Sequence, residues 1–224
     1  MRLAIDHSVI DRLPNFTLGF IQYADISISE SPKMLQGRIN LLMETLRLDH
    51  SISDISQIEG VAGWRQAFKQ LGIDPSRYRP SSESLIRRIL QGNPFHWINS
   101  AVDMNNFLSV TNALPYGIYD QSKINESIVC RLGLETDQYQ GINGRDVHME
   151  NKLVLADRSG AFGSPIVDST RTMVTETATN LVQVIFFHPE LSPNRKETIL
   201  GSTARMFTEI NGGDVAHMEV VSFS

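Results

Sequence analysis

A chain of 224 residues with 41% hydrophobic and 20% charged side chains, 15 glycines and 9 prolines has the composition of an ordinary folded domain, long enough to bury a substantial core. Bulk disorder and a membrane span are excluded: apolar runs such as Val184-Ile185-Phe186-Phe187 reach strand length, far short of the ~20 residues that cross a bilayer. A net charge of −5 provides no global basic field, so any nucleic-acid contact must be local.

The first residues, Met1-Arg2-Leu3-Ala4-Ile5-Asp6-His7, place an acid where a secretory leader carries apolar residues, so export is not expected. Thr17–Tyr23, followed by Ile26-Ser27-Ile28, has the alternation and β-branched content of strands. Ser31-Pro32 then reads as a helix start, with Leu35, Ile39, Leu42 and Leu46 on one face. A second helix aligns Val61, Trp64, Phe68 and Leu71 and stops at Gly72. A third opens near Ser81 or Ser82, aligns Leu85, Ile86, Ile89 and Leu90, and stops at Gly92. Between these two, Gly72 to Pro80 reads as an ordered loop.

Further on, Asp103 can cap a short helix through Leu114, and Pro115-Tyr116-Gly117 reads as a turn. Strands are expected at Ile124–Leu132, Leu153–Ala156, Thr172–Ala178 and Leu181–Phe187, the last two as a hairpin or one bent strand. Ser192-Pro193 repeats the cap-plus-proline signal for a helix ending at Asn211-Gly212-Gly213, and a final strand is expected over Val215–Phe223. The predicted fold is α+β, a helical layer packed on a mixed or antiparallel sheet, in a single domain over 1–224.

Several chemistries are absent from this pattern. There is no Gly-x-Ser-x-Gly elbow, Walker loop or Gly-x-Gly-x-x-Gly fingerprint. Six histidines lie scattered, the nearest two, His188 and His217, 29 positions apart, so no local metal motif exists and no metal or cofactor is expected. The single cysteine, Cys130, allows neither an internal disulfide nor a thiolate cluster, which suits a reducing cytoplasm; inside a strand it is a poor nucleophile. The densest basic stretch is Arg77, Arg79, Arg87 and Arg88, either a local anion-binding patch or a solvated helix face. Charged and amide groups also fall inside apolar segments: Asp103, Asn105, Asn106, Asp120, Arg131, Asp157, Asp168, Arg171 and Glu176. Such groups are usually partnered or functional, because burying a lone charge costs several kcal/mol. For Glu176 the plain alternative is an exposed strand face on which Thr175, Thr177 and Thr179 meet water.

Six segments in register resemble a known family. They are Tyr78 to Arg88, Asn99 to Asn106, Pro115 to Asp120, Ile128 to Arg131, Val154 to Asp157 and Val174 to Ala178, and together they resemble the B3/B4 domain. That domain is the editing region of the β subunit of bacterial phenylalanyl-tRNA synthetase and also occurs free-standing; the serine-glutamate-arginine element resembles the free-standing branch. The resemblance implies a B3/B4-like core over about 64–180, a strand and helix flank over 1–63 and a closing helix and strand over 192–224. It implies hydrolysis of the ester of a mischarged aminoacyl-tRNA; with no long apolar run, no membrane partner is expected. Aminoacylation itself is not expected, since the 224 residues are taken up by this region and short flanks.

Residue by residue, Glu176 matches the glutamate that reads a tyrosine phenol in the synthetase, and Thr175, Asn106, Tyr116 and Gly117 are expected beside it as substrate-binding residues. Asp103, Asp120 and Arg131 match structural positions and are expected to form, with Asn106, a buried polar network at the pocket floor. Arg77, Arg79, Arg87 and Arg88 are the expected tRNA contacts. Gly117 stands where the synthetase motif carries a histidine, and Gly160-Ala161-Phe162-Gly163-Ser164-Pro165-Ile166 replaces its glycine-rich loop, which implies a remodelled pocket. An aminoacyl ester is already activated, so water positioning and oxyanion stabilisation can suffice without a nucleophilic side chain. A non-catalytic binder of an amino-acid-like ligand or a tRNA 3′ end is the second reading.

Overall fold

The computed structural model describes residues 1–223. Its centre is the strand β9, Leu181–Phe187, all seven residues of which are buried. It lies between β2 (Thr17–Ala24) and β3 (Tyr116–Asp120), and β10 (Asp214–Ser222) extends the far side of β2, all neighbours antiparallel. A second, mixed sheet holds β1 (Leu3–Ile5), β4 (Ile128–Leu132), β7 (Leu153–Asp157) and β8 (Gly160–Gly163), with β1 parallel to β4 and the other pairs antiparallel. The short strands β5 (Gln138–Gln140) and β6 (Asp146–His148) form a hairpin beside it.

Paired residues share a face. Gln183, Ile118 and Ile21 therefore point to one side of the first sheet, and Val184, Gly117 and Phe20 to the other. The first side is covered by α5 (Ser100–Asn112) and α6 (Pro193–Asn211), where Tyr23 stacks on Phe207 at 4.4 Å and Gln183 donates to Asn105 at 2.8 Å. The other side meets the second sheet, with the Tyr119 ring edge-on to Phe162 at 5.0 Å. It also meets α3 (Glu59–Gln70), whose Trp64 is fully buried between Phe16, Phe68 and Phe186 and donates its indole N–H to the Phe186 carbonyl. Truncating such a side chain costs about 3–5 kcal/mol. Before these come α1 (His7–Ile10) and α2 (Lys33–Asp49); α4 (Ser81–Leu90) follows α3. The fold class is α+β, with both sheets contributing to one hydrophobic core.

The helix stops at Gly72 and Gly92 are real, both glycines adopting positive φ, and Ser192 caps α6 ahead of Pro193. Three readings are corrected. Pro115-Tyr116-Gly117 is no turn but the entry to β3, because Gly117 serves close packing rather than chain reversal. Thr172–Ala178 is no strand: a 3-10 turn covers Thr170–Thr172 and a turn follows at Glu176-Thr177, so no hairpin precedes β9. The fifth helix starts at Ser100, capped by the Asn99 side chain; Asp103 sits in its first turn and receives the Ser31 hydroxyl instead.

Candidate functional site

The β3 register turns Gly117 and Tyr119 toward the second sheet. Tyr119 lies back over Gly117, and a Cβ on either Gly117 or Gly163 would collide with the Tyr119 hydroxyl. The two glycines thus bracket a fully buried phenol, which donates to Asp168 Oδ1 at 2.7 Å. The Ser164 amide donates to the same oxygen at 3.2 Å. The connecting loop is set by the Ser164 hydroxyl, which accepts from the Ile166 and Val167 amides and donates to the Val167 carbonyl. Burial pushes the Asp168 carboxyl up to about 7, against the opposing effect of the Tyr119 and Ser164 hydrogen bonds. The phenol is held well above its usual range by burial and by the adjacent carboxylate. A carboxyl that exchanges its proton near neutral pH, next to a fixed hydroxyl, has the properties of a general acid–base group.

The loop bearing Asp168 joins the start of α4, where the Ser81 amide donates to the Pro165 carbonyl at 2.8 Å. One turn on, Glu83 is fully buried with one oxygen facing three guanidinium groups: Arg65 at 2.8 Å, Arg87 at 3.3 Å and Arg79 at 3.8 Å. Arg87 stands four residues after Glu83, the spacing that places both on one face of α4, whereas Arg79 reaches the same oxygen from the loop ahead of the Pro80 cap. Arg65 comes from α3, a contact no local pattern reveals. Beyond Phe162, Arg171 lies over its ring at 5.4 Å and holds Asp157 through two bonds of 2.9 and 3.0 Å.

The residues expected to form a floor network are instead spread over the molecule. Asp103, fully buried, is satisfied locally by the Ser31 hydroxyl at 2.6 Å and the Ile98 amide at 3.0 Å. Asp120 closes a turn onto Ser122 and pairs with Lys123 at 3.4 Å. Arg131 alternates with inward-facing Cys130 and grips Asp137 with two nitrogens. Burial works against the Asp137 charge, but Arg131 and the Leu134 amide outweigh it and hold this carboxyl below its usual value. Each charge has its own local partner, so there is no shared network to build. Asn106 is half-buried, and it is its neighbour Asn105 that joins the chain Tyr23–Gln183–Asn105 beneath α5.

Tyr116 points away from Gly117, its hydroxyl buried between Thr203 at 3.0 Å and Asn112 at 3.1 Å. Glu176 is exposed in its turn, and Thr175 shares a hydroxyl contact with Thr177. The strand expected to carry Glu176 is absent, because that segment is not extended. Within the arginine stretch, Arg79 and Arg87 turn onto Glu83, whereas Arg77 lies over Tyr78 at 5.3 Å and Arg88 is exposed. Burial pushes the Cys130 thiol up, which leaves it inert at neutral pH.

Among the described residues, two grooves are of note. One, of about 300 Å³, lies on the outer face of the second sheet between Glu126, Arg131, Asp157 and Arg158. The other, of about 170 Å³, opens where α3, α5 and α6 meet. Neither is lined by Gly117, Thr175 or Glu176. Among the described residues, no group of His, Cys, Asp and Glu is arranged to hold a metal ion, and no helix is long and apolar enough to cross a membrane.

An α+β chain with these elements in this order matches the B3/4 domain model over residues 63–211, and the chain belongs to the B3/4 domain family. It is 28% identical over 213 residues to the uncharacterized protein YhzB of Bacillus subtilis, covering 95% of this chain and 96% of that one. A stretch of 87 residues, 38% of this chain, is 31% identical to the phenylalanine-tRNA ligase beta subunit of Bartonella henselae, of which it spans 11%. Among solved structures, an N-terminal fragment of the phenylalanyl-tRNA synthetase beta subunit from Pyrococcus horikoshii superposes with a TM-score of 0.45 at 12% identity, covering 99% of this chain and half of that fragment.

Proposed function

We propose that this B3/4 chain hydrolyses the ester bond of a mischarged aminoacyl-tRNA carrying an aromatic or non-protein amino acid, with Asp168 as the general base. The observation that carries the reading is the Asp168 carboxyl, lifted by burial to about 7 and fixed by Tyr119 over the glycine that stands in place of the family's histidine. A water molecule held by Asp168 attacks the ester carbonyl while the carboxylate takes its proton. The tetrahedral intermediate then expels the ribose oxygen, to which Asp168 returns the proton, releasing free amino acid and intact tRNA. Cys130 takes no part.

Family matching adds Glu176 as a reader of the aminoacyl side chain, with Thr175 beside it, and Arg77, Arg79, Arg87 and Arg88 as tRNA contacts. The partner is aminoacyl-tRNA and the compartment the cytoplasm. The test is a deacylation screen of the purified protein against a panel of aminoacyl-tRNAs, read by loss of labelled amino acid. Hydrolysis of at least one species by the parent, abolished in Asp168→Asn, supports the reading. Hydrolysis unaffected by Asp168→Asn removes Asp168 from its role, and no hydrolysis of any species rejects the enzyme.

A second reading, a non-catalytic binder of a tRNA end or amino-acid-like ligand, is favoured by one observation: the space over Gly117 is filled by the chain's own phenol. Its signature in the same screen is retention of charged tRNA with no loss of amino acid.

A further inference from the structure

The smaller groove contains a group that nothing above uses. His188, just beyond β9, is only 3% exposed, and neither of its ring nitrogens has a hydrogen-bond partner. Its ring packs directly on Gly63 of α3, where any Cβ would strike it, so the backbone is shaped to admit an imidazole at this point. Buried polar groups are normally hydrogen-bonded, and a ligand that reaches this ring would supply the missing partner.

The lining surrounds this ring with groups of both signs. They include the exposed Arg195 and the first turn of α3, whose cap residue Ile58 contributes no side-chain acceptor, so the positive end of that helix is open to the groove. The Glu59 carboxylate stands on that same turn, which meets the C-terminal end of α5, where Ala113 adopts φ of 53° and the Asn112 and Ala113 carbonyls adjoin Gly60. Ile58, Leu114, Leu191 and Ile199 provide apolar walls. At about 170 Å³ the groove suits a small molecule and is far too small for a nucleotide chain. Burial holds the His188 pKa below the ordinary histidine value, and a neutral imidazole offers one donor and one acceptor.

We propose that this groove binds a free zwitterionic α-amino acid with an apolar side chain. Arg195 and the α3 amides hold its carboxylate, Glu59 and the α5 carbonyls its ammonium, and His188 hydrogen-bonds the bound molecule from below. This site is separate from the Tyr119–Asp168 centre: Tyr119 pairs with Val182, six residues before His188 on an extended strand, roughly 20 Å away. It stands whether or not the chain hydrolyses esters.

The experiment is an NMR titration of the ¹⁵N-labelled full chain, following the His188 ring resonances, with leucine, valine and phenylalanine as probes. Two truncated analogues of leucine serve as controls: 4-methylpentanoate, which lacks the ammonium, and isoamylamine, which lacks the carboxylate. The expected result is a saturable shift with at least one amino acid and binding weaker by about tenfold or more for both analogues. Arg195→Ala, at an exposed position, keeps the parent melting temperature and weakens binding by about tenfold. His188→Gln, checked for a native melt, also weakens it. Absence of a saturable shift with all three amino acids overturns the proposal, as does equal binding of either analogue or unchanged affinity in Arg195→Ala. All readouts are of binding, so their failure leaves the deacylation reading untouched.

Discussion

Tyr119 folds its ring back over Gly117, two residues earlier on the same strand, and the absent side chain of the one is the space occupied by the other. Because the phenol is also wedged against Gly163 and Phe162, it has nowhere to retreat. Gly117→Ala is therefore expected to destabilise the fold by about 1–3 kcal/mol, the usual cost of overpacking. The contrasting change is Gly37→Ala in the exposed part of α2, where an added methyl meets no atom within 4 Å. That substitution is expected to stabilise by about 0.5–1 kcal/mol. Urea melts of the two variants, read side by side, check the pair; equal effects would contradict the packing described.

The Asp168 carboxyl gives a pH signature. Its folded value, about 7, lies above the ordinary 3.8, so the folded state binds this proton more tightly than the unfolded chain does. The associated stability is complete below pH ~4 and is lost as pH rises to about 7. Asp168→Asn keeps an acceptor for the Tyr119 hydroxyl and has no proton to lose. Thermal melts at pH 5 and pH 8 should show the stability of the variant relative to the parent rising with pH. A relative stability that does not change between those pH values would place the Asp168 titration elsewhere.

Separate placement of the charged groups predicts independence. Asp103→Ala leaves the Ser31 hydroxyl and Ile98 amide without their acceptor, and Arg131→Ala leaves buried Asp137 unpaired; breaking a buried pair costs up to about 3–5 kcal/mol. Since the two lie in different parts of the fold, the double variant should show additive losses within about 0.5 kcal/mol. A larger coupling energy in a denaturation double-mutant cycle would restore the shared network.

Around Glu83 the arginines should divide in their behaviour. Arg87→Ala weakens a buried ion cluster and should lower stability, whereas Arg77→Glu and Arg88→Glu alter exposed groups and should remain within about 0.5 kcal/mol of the parent. If charged tRNA binds here, each exposed arginine contacting a phosphate should contribute about 0.7–0.9 to the slope of log affinity against log salt. Filter binding across a salt series checks this, and an unchanged slope in the Arg77→Glu/Arg88→Glu double variant would rule out the contact.

Local chemistry made part of this fold legible. Gly72, Gly92 and Ser192-Pro193 are stop and start signals whose cause lies within a few residues, and the helices they bound fall close to where periodicity puts them. β9 was readable from its β-branched and aromatic run Val184-Ile185-Phe186-Phe187. Pro115-Tyr116-Gly117 misled because glycine serves two purposes, reversing a chain and clearing space, and only the position of Tyr119 shows which applies. Thr172–Ala178 misled because β-branched residues favour strands only where a neighbouring strand is available, and here β9 is already flanked by β2 and β3. The centre was half visible: Asp168 stood out as a charge in an apolar segment, but its raised proton affinity comes from burial in the folded chain, against the opposing hydrogen bond of Tyr119, 49 positions away. Arg65 and His188 were invisible for the same reason, each defined by an element packed from elsewhere in the chain.

The pairing of β2 with β9 has a consequence for biogenesis. Thr17 faces Phe187 across roughly 170 residues of sequence, so β2 must wait for its partner until most of the polypeptide has been made. At 5–20 residues per second that interval is on the order of ten to thirty seconds. During it Leu18, Phe20 and Ile21 have no central strand to cover them, and a nascent chain stalled before Leu181 carries β2 and β3 with nothing between them. Rapid local helix formation and slow, late sheet closure are the expected order of events on the ribosome.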